Sequence, residues 1–289
     1  MEKFVKMERR FNTDLAIEFD KNNTKFFCEE FIEENFDCCS VIRQSIINNQ
    51  TGEKNRFITV YFDKKALFDK YVNRFIAETV VNELCDILTV LKSKDIKELS
   101  YLVVGLGNVE LTADAIGPLA VRRIGVTRHM SCSDKILPAV SAIAPNVLSK
   151  TGIEAVDVIK SIADRIEADI LIVIDSLAAK SCDRLGCTLQ ITNCGISPGS
   201  GIGNLRRSID EKSIGCPVIS IGLPTVVDSA TLVLDTLEMA GIDDVSDDLL
   251  KVLKESKSFF VAPKESDEIT KYASELIAES LNILFGVDS

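Results

Sequence analysis

The chain has 289 residues, of which 46% are hydrophobic, enough apolar side chain for one large domain or two small ones with a sizeable buried core. A net charge of -11 repels phosphate over most of the surface and argues against a general nucleic-acid or anionic-membrane binder, so a small-molecule or protein partner is expected. Nine scattered cysteines without a CxxC pair suggest neither a zinc ribbon nor a disulfide framework and read as reduced thiols in a cytosol.

In chain order, the stretch MEKFVKMERRFNTD is charged throughout and carries no apolar h-region, and ILIVI at 170–174 is far too short to span a bilayer, so a cytoplasmic protein is expected. VIRQSIINNQTGEKNRFITVYFD reads as two strands around the turn NQTGEKN, a hairpin on the edge of a sheet. From Asp69 to Leu91, the residues Val72, Phe75, Ile76, Val80, Leu84, Ile87 and Leu88 fall at helical spacing. Strands recur as YLVVGL (101–106), ILIVID (170–175), TLQITN (188–193) and PVISIG (217–222), accompanied by helical patterns from Gly152 to Ala168 and from Thr225 to Met239. This alternation predicts an α/β fold with a mostly parallel sheet flanked by helices. Residues 242–285 read as helical, with DDVSDD a solvated helix start, and no internal repeat or composition break divides the chain.

The residues that carry chemistry are few. The one histidine, His129 in VTRHM, stands outside any HExxH; there is no GxSxG elbow and no GxxxxGK[ST] loop, so a Ser or Cys triad would have to use His129. Its other reading is a polar residue capping a strand end. GLGN (105–108) begins a dinucleotide fingerprint, but Glu110 occupies the third glycine position and no acidic residue ends a following strand at the expected distance. GISPGSGIGN (195–204), with Gly199, Gly201 and Gly203 and with Arg206 and Arg207 close behind, reads as an anion cradle, a rim for an extended peptide, or a surface loop.

Two aspartates remain. Asp114 lies just after YLVVGL and Asp175 closes ILIVID, at strand ends where open α/β sheets bind ligands. Carboxylates within hydrogen-bond reach cannot both ionise easily; the pair then shares one proton and can activate a water while protonating a leaving amine. The alternative is a dipole-favoured residue at a helix start and an ordinary strand-end carboxylate.

VVGLGN, TADAIGPLAV, VTRH, SAIAPNVLSKTGIEAVDVIK, IDSLAAKS, GISPGSGIGN and IGLPTVVD together resemble the germination protease family of spore-forming bacteria, over about Thr13 to Val227. The resemblance implies an atypical aspartic endopeptidase whose fold is similar to that of hydrogenase maturation proteases. Its implied substrates are small acid-soluble spore proteins, its place the cytoplasm of the forespore or spore core, and its state a homo-oligomer. It implies no cofactor, no bound metal, no membrane and no direct nucleic-acid contact. Asp114 and Asp175 fall on the family's catalytic aspartates, and Asn108, His129, Gly199, Gly201 and Gly203 become candidates for the substrate groove. The maturation proteases themselves hold a metal with acidic residues and a histidine, so Asp114, Asp175 and His129 offer a second, metal-dependent reading. Where the family commonly has NWNVTPD this chain has NVELTAD, with Val109 for an aromatic residue and Ala113 for a proline.

Family members are made as zymogens, and Thr13 to Phe19, TDLAIEF, matches the pattern of their substrates. The resemblance therefore implies self-cleavage between Asp14 and Leu15, removing residues 1–14 and leaving 15–289 as a single α/β peptidase domain with a helical C-terminal region. A charged terminal segment with little apolar content can reach an active site in extended form. LAIEF also reads as an edge strand, with Leu15, Ile17 and Phe19 facing the core.

Overall fold

Runs of Val, Ile and Leu that are apolar on both faces need cover on both sides, and here helices supply it. The computed structural model describes residues 4–6, 13–18, 26–49, 51–130, 137–199, 206–242, 244–255 and 259–287. Its strands are β1 (Phe4–Lys6), β2 (Phe26–Asn35), β3 (Cys39–Asn48), β4 (Lys54–Phe62), β5 (Ser100–Gly105), β6 (Ala139–Ile143), β7 (Ile170–Ala179), β8 (Thr188–Thr192), β9 (Val218–Asp228), β10 (Asp244–Ser246) and β11 (Phe260–Val261). Its helices are α1 (Lys70–Leu91), α2 (Ile116–Val121), α3 (Leu148–Thr151), α4 (Ala155–Ile166), α5 (Glu211–Ile214), α6 (Ser229–Met239), α7 (Asp247–Glu255) and α8 (Ser266–Phe285).

The main sheet runs β2-β3-β4-β8-β9-β7-β5-β6, with β11 added against β9, while β1 and β10 pair separately. The expectation of a mostly parallel sheet is corrected. Only β6–β5, β5–β7 and β7–β9 are parallel, and the other pairs, from β9 outward to β2 and including β11, are antiparallel. The cause is connection length. A parallel return needs a crossover of about a dozen residues or more, whereas residues 180–187, with only the short 3-10 turn Cys182–Arg184, turn the chain straight back into β8 on the far side of β9, and short connections likewise join β2, β3 and β4.

The hairpin also sits elsewhere than expected: β3 and β4 form it, but β2 covers one side and β8 the other, so β2 is the edge. The stretch PTVVD continues β9 rather than opening a helix, and α6 starts only at Ser229, capped by the Asp228 carboxylate on the Ala230 N–H at 2.8 Å.

The sheet separates two apolar layers. Ile170, Ile172 and Ile174 of β7 pack with Ile76, Val80 and Leu84 of α1 and Leu276, Ile277 and Leu281 of α8, while Leu171 and Val173 pack with Val156, Ile159 and Ala163 of α4. Strand alternation puts Asp175 on the α4 side, past the end of the packed layer.

α1 is bolted to β3 by one buried ion pair. Arg43 donates to both oxygens of Glu83 through Nε, at 3.0 and 2.9 Å, and again through its terminal nitrogen, and only 3% of the Glu83 side chain is exposed. Removing one member of such a pair strands the other charge in the core. Arg43→Ala is expected to lower the unfolding free energy by about 3–5 kcal/mol in urea titrations, whereas replacing both residues by apolar ones of similar volume recovers most of that loss.

Candidate active site

α2 rests its backbone directly on the ends of β5 and β7. A Cβ on Gly117 would stand 2.3 Å from the Leu106 carbonyl oxygen and 2.6 Å from that of Ile174, so the approach requires glycine. It carries the preceding 3-10 turn, Thr112–Asp114, to the end of β7. Two hydroxyls hold that turn: Thr225 Oγ1 donates to the Ala113 carbonyl at 2.6 Å and Thr270 Oγ1 to the Thr112 carbonyl at 3.1 Å. Neither threonine was singled out from the sequence, where Thr225 read as a helix start.

Asp114 and Asp175 thereby line one cleft of about 620 Å³. The Asn108 N–H donates to Asp114 Oδ2 at 2.8 Å, and the Ser176 N–H to Asp175 Oδ1 at 2.9 Å. Burial raises the Asp114 pKa from its ordinary value, against the opposing pull of that Asn108 bond. Asp175 is 7% exposed; burial first, and then the Asp114 charge, push its pKa well above the ordinary value, Asp14 adding to the effect and the Ser176 N–H opposing it. This is the environment that keeps one proton on a carboxyl pair.

Asn108 and Gly199 also line the cleft, as do Arg206 and Arg207. Gly201 and Gly203 lie outside the described residues. His129 does not join them. It is exposed, in the turn where Arg128 bonds Ser141 Oγ at 2.8 Å and Ser100, beside the amino ends of β5 and β6. Asp114 follows the carboxyl end of β5 and Asp175 lies within β7, past the level at which β5 ends, so the set Asp114, Asp175 and His129 is not assembled. Among the described residues no group of three or more His, Cys, Asp or Glu is placed to hold a metal ion.

The cleft is shared by the chain's own N-terminal segment. Asp14 lines it; its N–H donates to the Ala178 carbonyl at 3.0 Å, and its Oδ2 accepts from the Ala178 N–H at 2.9 Å. Leu15 is fully buried among Leu177, Ala179, Leu185 and Val227. Glu18 Oε2 accepts from the Thr13 hydroxyl at 2.5 Å and from the Lys180 N–H at 2.7 Å. The edge-strand reading of LAIEF is corrected: Ala16–Glu18 is a 3-10 turn held by side chains, Ile17 is only partly buried, and Phe19 lies outside the described residues.

With this geometry in place, the sequence model described as germination protease matches residues 6–241 of the chain. The chain belongs to the germination protease family. It is 38% identical over 261 residues to a germination protease of Clostridium acetobutylicum, covering 80% of this chain and 78% of that one. It is 36% identical over 290 residues to one of Clostridium tetani, covering 95% and 86%, and 40% identical over 235 residues to one of Caldanaerobacter subterraneus, covering 71% and 72%. As a germination protease it is a peptidase, a hydrolase of protein substrates. Among its described residues no helix is long and apolar enough to cross a membrane.

The raised pKa of Asp175 carries a stability consequence of definite sign. The folded protein holds this proton more tightly than the unfolded chain does, so the stabilisation is complete below the unfolded value of about 4 and is lost as pH rises through the folded value. Asp175→Asn removes that loss. The variant is expected to melt higher than the wild type at pH 7–8, by about 2–4 °C per kcal/mol, and the gap should close towards pH 4 in a series of thermal melts.

Proposed function

We propose that the protein is an endopeptidase that degrades small acid-soluble spore proteins at germination, in the forespore or spore core, with Asp114 and Asp175 as its catalytic pair. In this reading it is made as a zymogen whose residues 1–14 it removes itself, and 15–289 form one peptidase domain acting as a homo-oligomer. The observation that carries it is the shared cleft: Asp14, next to the buried Leu15, lines the same cleft as the half-buried Asp114 and the buried Asp175. The parallel strands β6-β5-β7-β9, with helices on both faces, are the part that supports a likeness to the hydrogenase maturation protease fold. The metal-dependent alternative is weaker because His129 stands at the opposite end of the strands.

The chemistry follows from one shared proton. The ionised member of the pair takes a proton from water as the water oxygen bonds to the Asp14 carbonyl carbon. The protonated member gives its proton to the Leu15 nitrogen as the carbon–nitrogen bond breaks, and the pair again holds one proton. At mildly acidic pH the pair is more fully in this single-proton form, so self-cleavage is favoured there.

Protein aged at such a pH should show Leu15 as its first residue on N-terminal sequencing, and Asp114→Asn should keep Met1. An intact wild type, or equal cleavage in the variant, refutes the reading. In digests of a small acid-soluble spore protein followed by mass measurement, Asp114→Asn and Asp175→Asn should each lose nearly all activity while remaining folded, each about as severely as the double variant because the two act as a unit. Thr225→Val removes the hydroxyl that holds the Ala113 carbonyl, and is expected to slow the same digest by about 10-fold or more, as misplacement of a catalytic group does, with the cleavage sites unchanged.

A further inference from the structure

Gln190 sits in the middle of β8, 5% exposed, in a strand whose neighbours Leu189 and Ile191 face the helical core. Its own side chain points the other way, and both ends of the amide are used on the docked N-terminal segment. Nε2 donates to the carbonyl oxygen of Asp14 at 2.8 Å, and Oε1 accepts from the N–H of Ala16 at 2.6 Å. The carbonyl it holds is the one that self-cleavage between Asp14 and Leu15 would attack.

Register places the two halves of the chemistry on one level. Asp175 of β7 and Gln190 of β8 are both directly opposite Gly222 of β9. Residues opposite one another on neighbouring strands share a face, so the Asp175 and Gln190 side chains rise on the same side of the sheet. Two strand spacings separate them, roughly 10 Å. The residue between them has no side chain: a Cβ on Gly222 would stand 2.6 Å from Leu177 Cγ and 2.9 Å from the Asp175 carbonyl oxygen. Asp14 is common to both sides: with Thr13, Gly222 and Gln190 it lines the trough on the amide side, and with Asp114 and Asp175 it lines the neighbouring cleft on the carboxyl side, Leu177 standing between the two.

We propose that Gln190 is a catalytic residue of this peptidase: its Nε2–H donates to the scissile carbonyl oxygen and stabilises the oxyanion, while its Oε1 fixes the N–H of the second residue beyond the cut. The inference rests on the proposed self-cleavage at Asp14–Leu15. When water adds to the Asp14 carbonyl carbon, negative charge gathers on the oxygen that already faces Nε2, and the same donor strengthens as charge develops. No reorganisation is needed, because the amide is buried and anchored at its other end. The charge collapses back to a carbonyl as the Leu15 nitrogen leaves with its proton. Removal of a single donor of this kind costs about 10²–10³ in rate. Protein substrates entering the emptied trough would meet the same amide, so the role extends to cleavage in trans.

The test is the self-cleavage rate of the full chain, followed by N-terminal sequencing and mass, in the wild type, Gln190→Glu and Gln190→Ala. Gln190→Glu keeps the shape and the acceptor for Ala16 but places an acceptor where the donor stood. Docking is read separately by hydrogen exchange of residues 14–18 in an Asp114→Asn background, where nothing is cut. The expected result is that Gln190→Glu retains exchange protection of this segment while cutting about 10²-fold more slowly or worse, and that Gln190→Ala is at least as slow. Cleavage of either folded variant at the wild-type rate overturns the proposal. So does a rate loss matched by loss of protection in Gln190→Glu, which would make Gln190 a docking clamp only. If Gln190→Ala does not fold, the Gln190→Glu comparison decides alone. A wild type that never cuts after Asp14 sinks the underlying self-cleavage reading instead, and is distinguished by its intact Met1.

Discussion

Asp14, Asp114 and Asp175 bring three carboxyl groups to one cleft, where burial first, and the charges of Asp114 and Asp14 after it, favour the protonated form of Asp175. Much of the surrounding architecture serves to hold them there. The Gly117 contact brings the 112–114 turn down on β7, Thr225 and Thr270 pin that turn by its carbonyls, and the Ala178 backbone clasps Asp14 from both sides. Each of these attachments uses backbone groups or short hydroxyls, which leave little rotational freedom and fix position closely.

The mixed sheet brings two unlike groups to the docked N-terminal segment. The parallel half, built from β5, β7 and β9, delivers Asp114 from the turn after β5 and Asp175 from within β7. The antiparallel half delivers a residue from mid-strand, Gln190, at the same level. β9 belongs to both halves, being parallel to β7 and antiparallel to β8. Asp175 and Gln190 thus stand opposite the same residue, Gly222, on either side of β9.

The two aspartates were legible in the sequence because an acidic residue closing an apolar run is conspicuous, but Asp175 does not end its strand: β7 runs on to Ala179. Strand direction was not legible, since periodicity reports only which face is buried; direction is decided by the length of residues 180–187 and by the unexpected edge strand Phe26–Asn35. Gln190 was hidden for a related reason: in TLQITN the polar Thr188, Gln190 and Thr192 alternate with Leu189 and Ile191, a pattern that singles out none of them, and only the fold shows the N-terminal segment lying over Gln190. Thr225 was misread because β-branched residues after a proline fit a strand end and a helix start equally well. His129 attracted attention by scarcity and by the motif VTRH, and neither says anything of location.

The complete burial of Leu15 bears on how a cut there would become final. Hydrolysis at Asp14–Leu15 severs one bond but none of the contacts to Ala178, Lys180 or Gln190, so both fresh termini would stay facing each other in the trough. Held at so high an effective concentration, amine and acid can rejoin almost as readily as they parted. Commitment would then come from escape of the severed piece, which makes the grip on Asp14 a brake on activation and not only a means of presenting the bond.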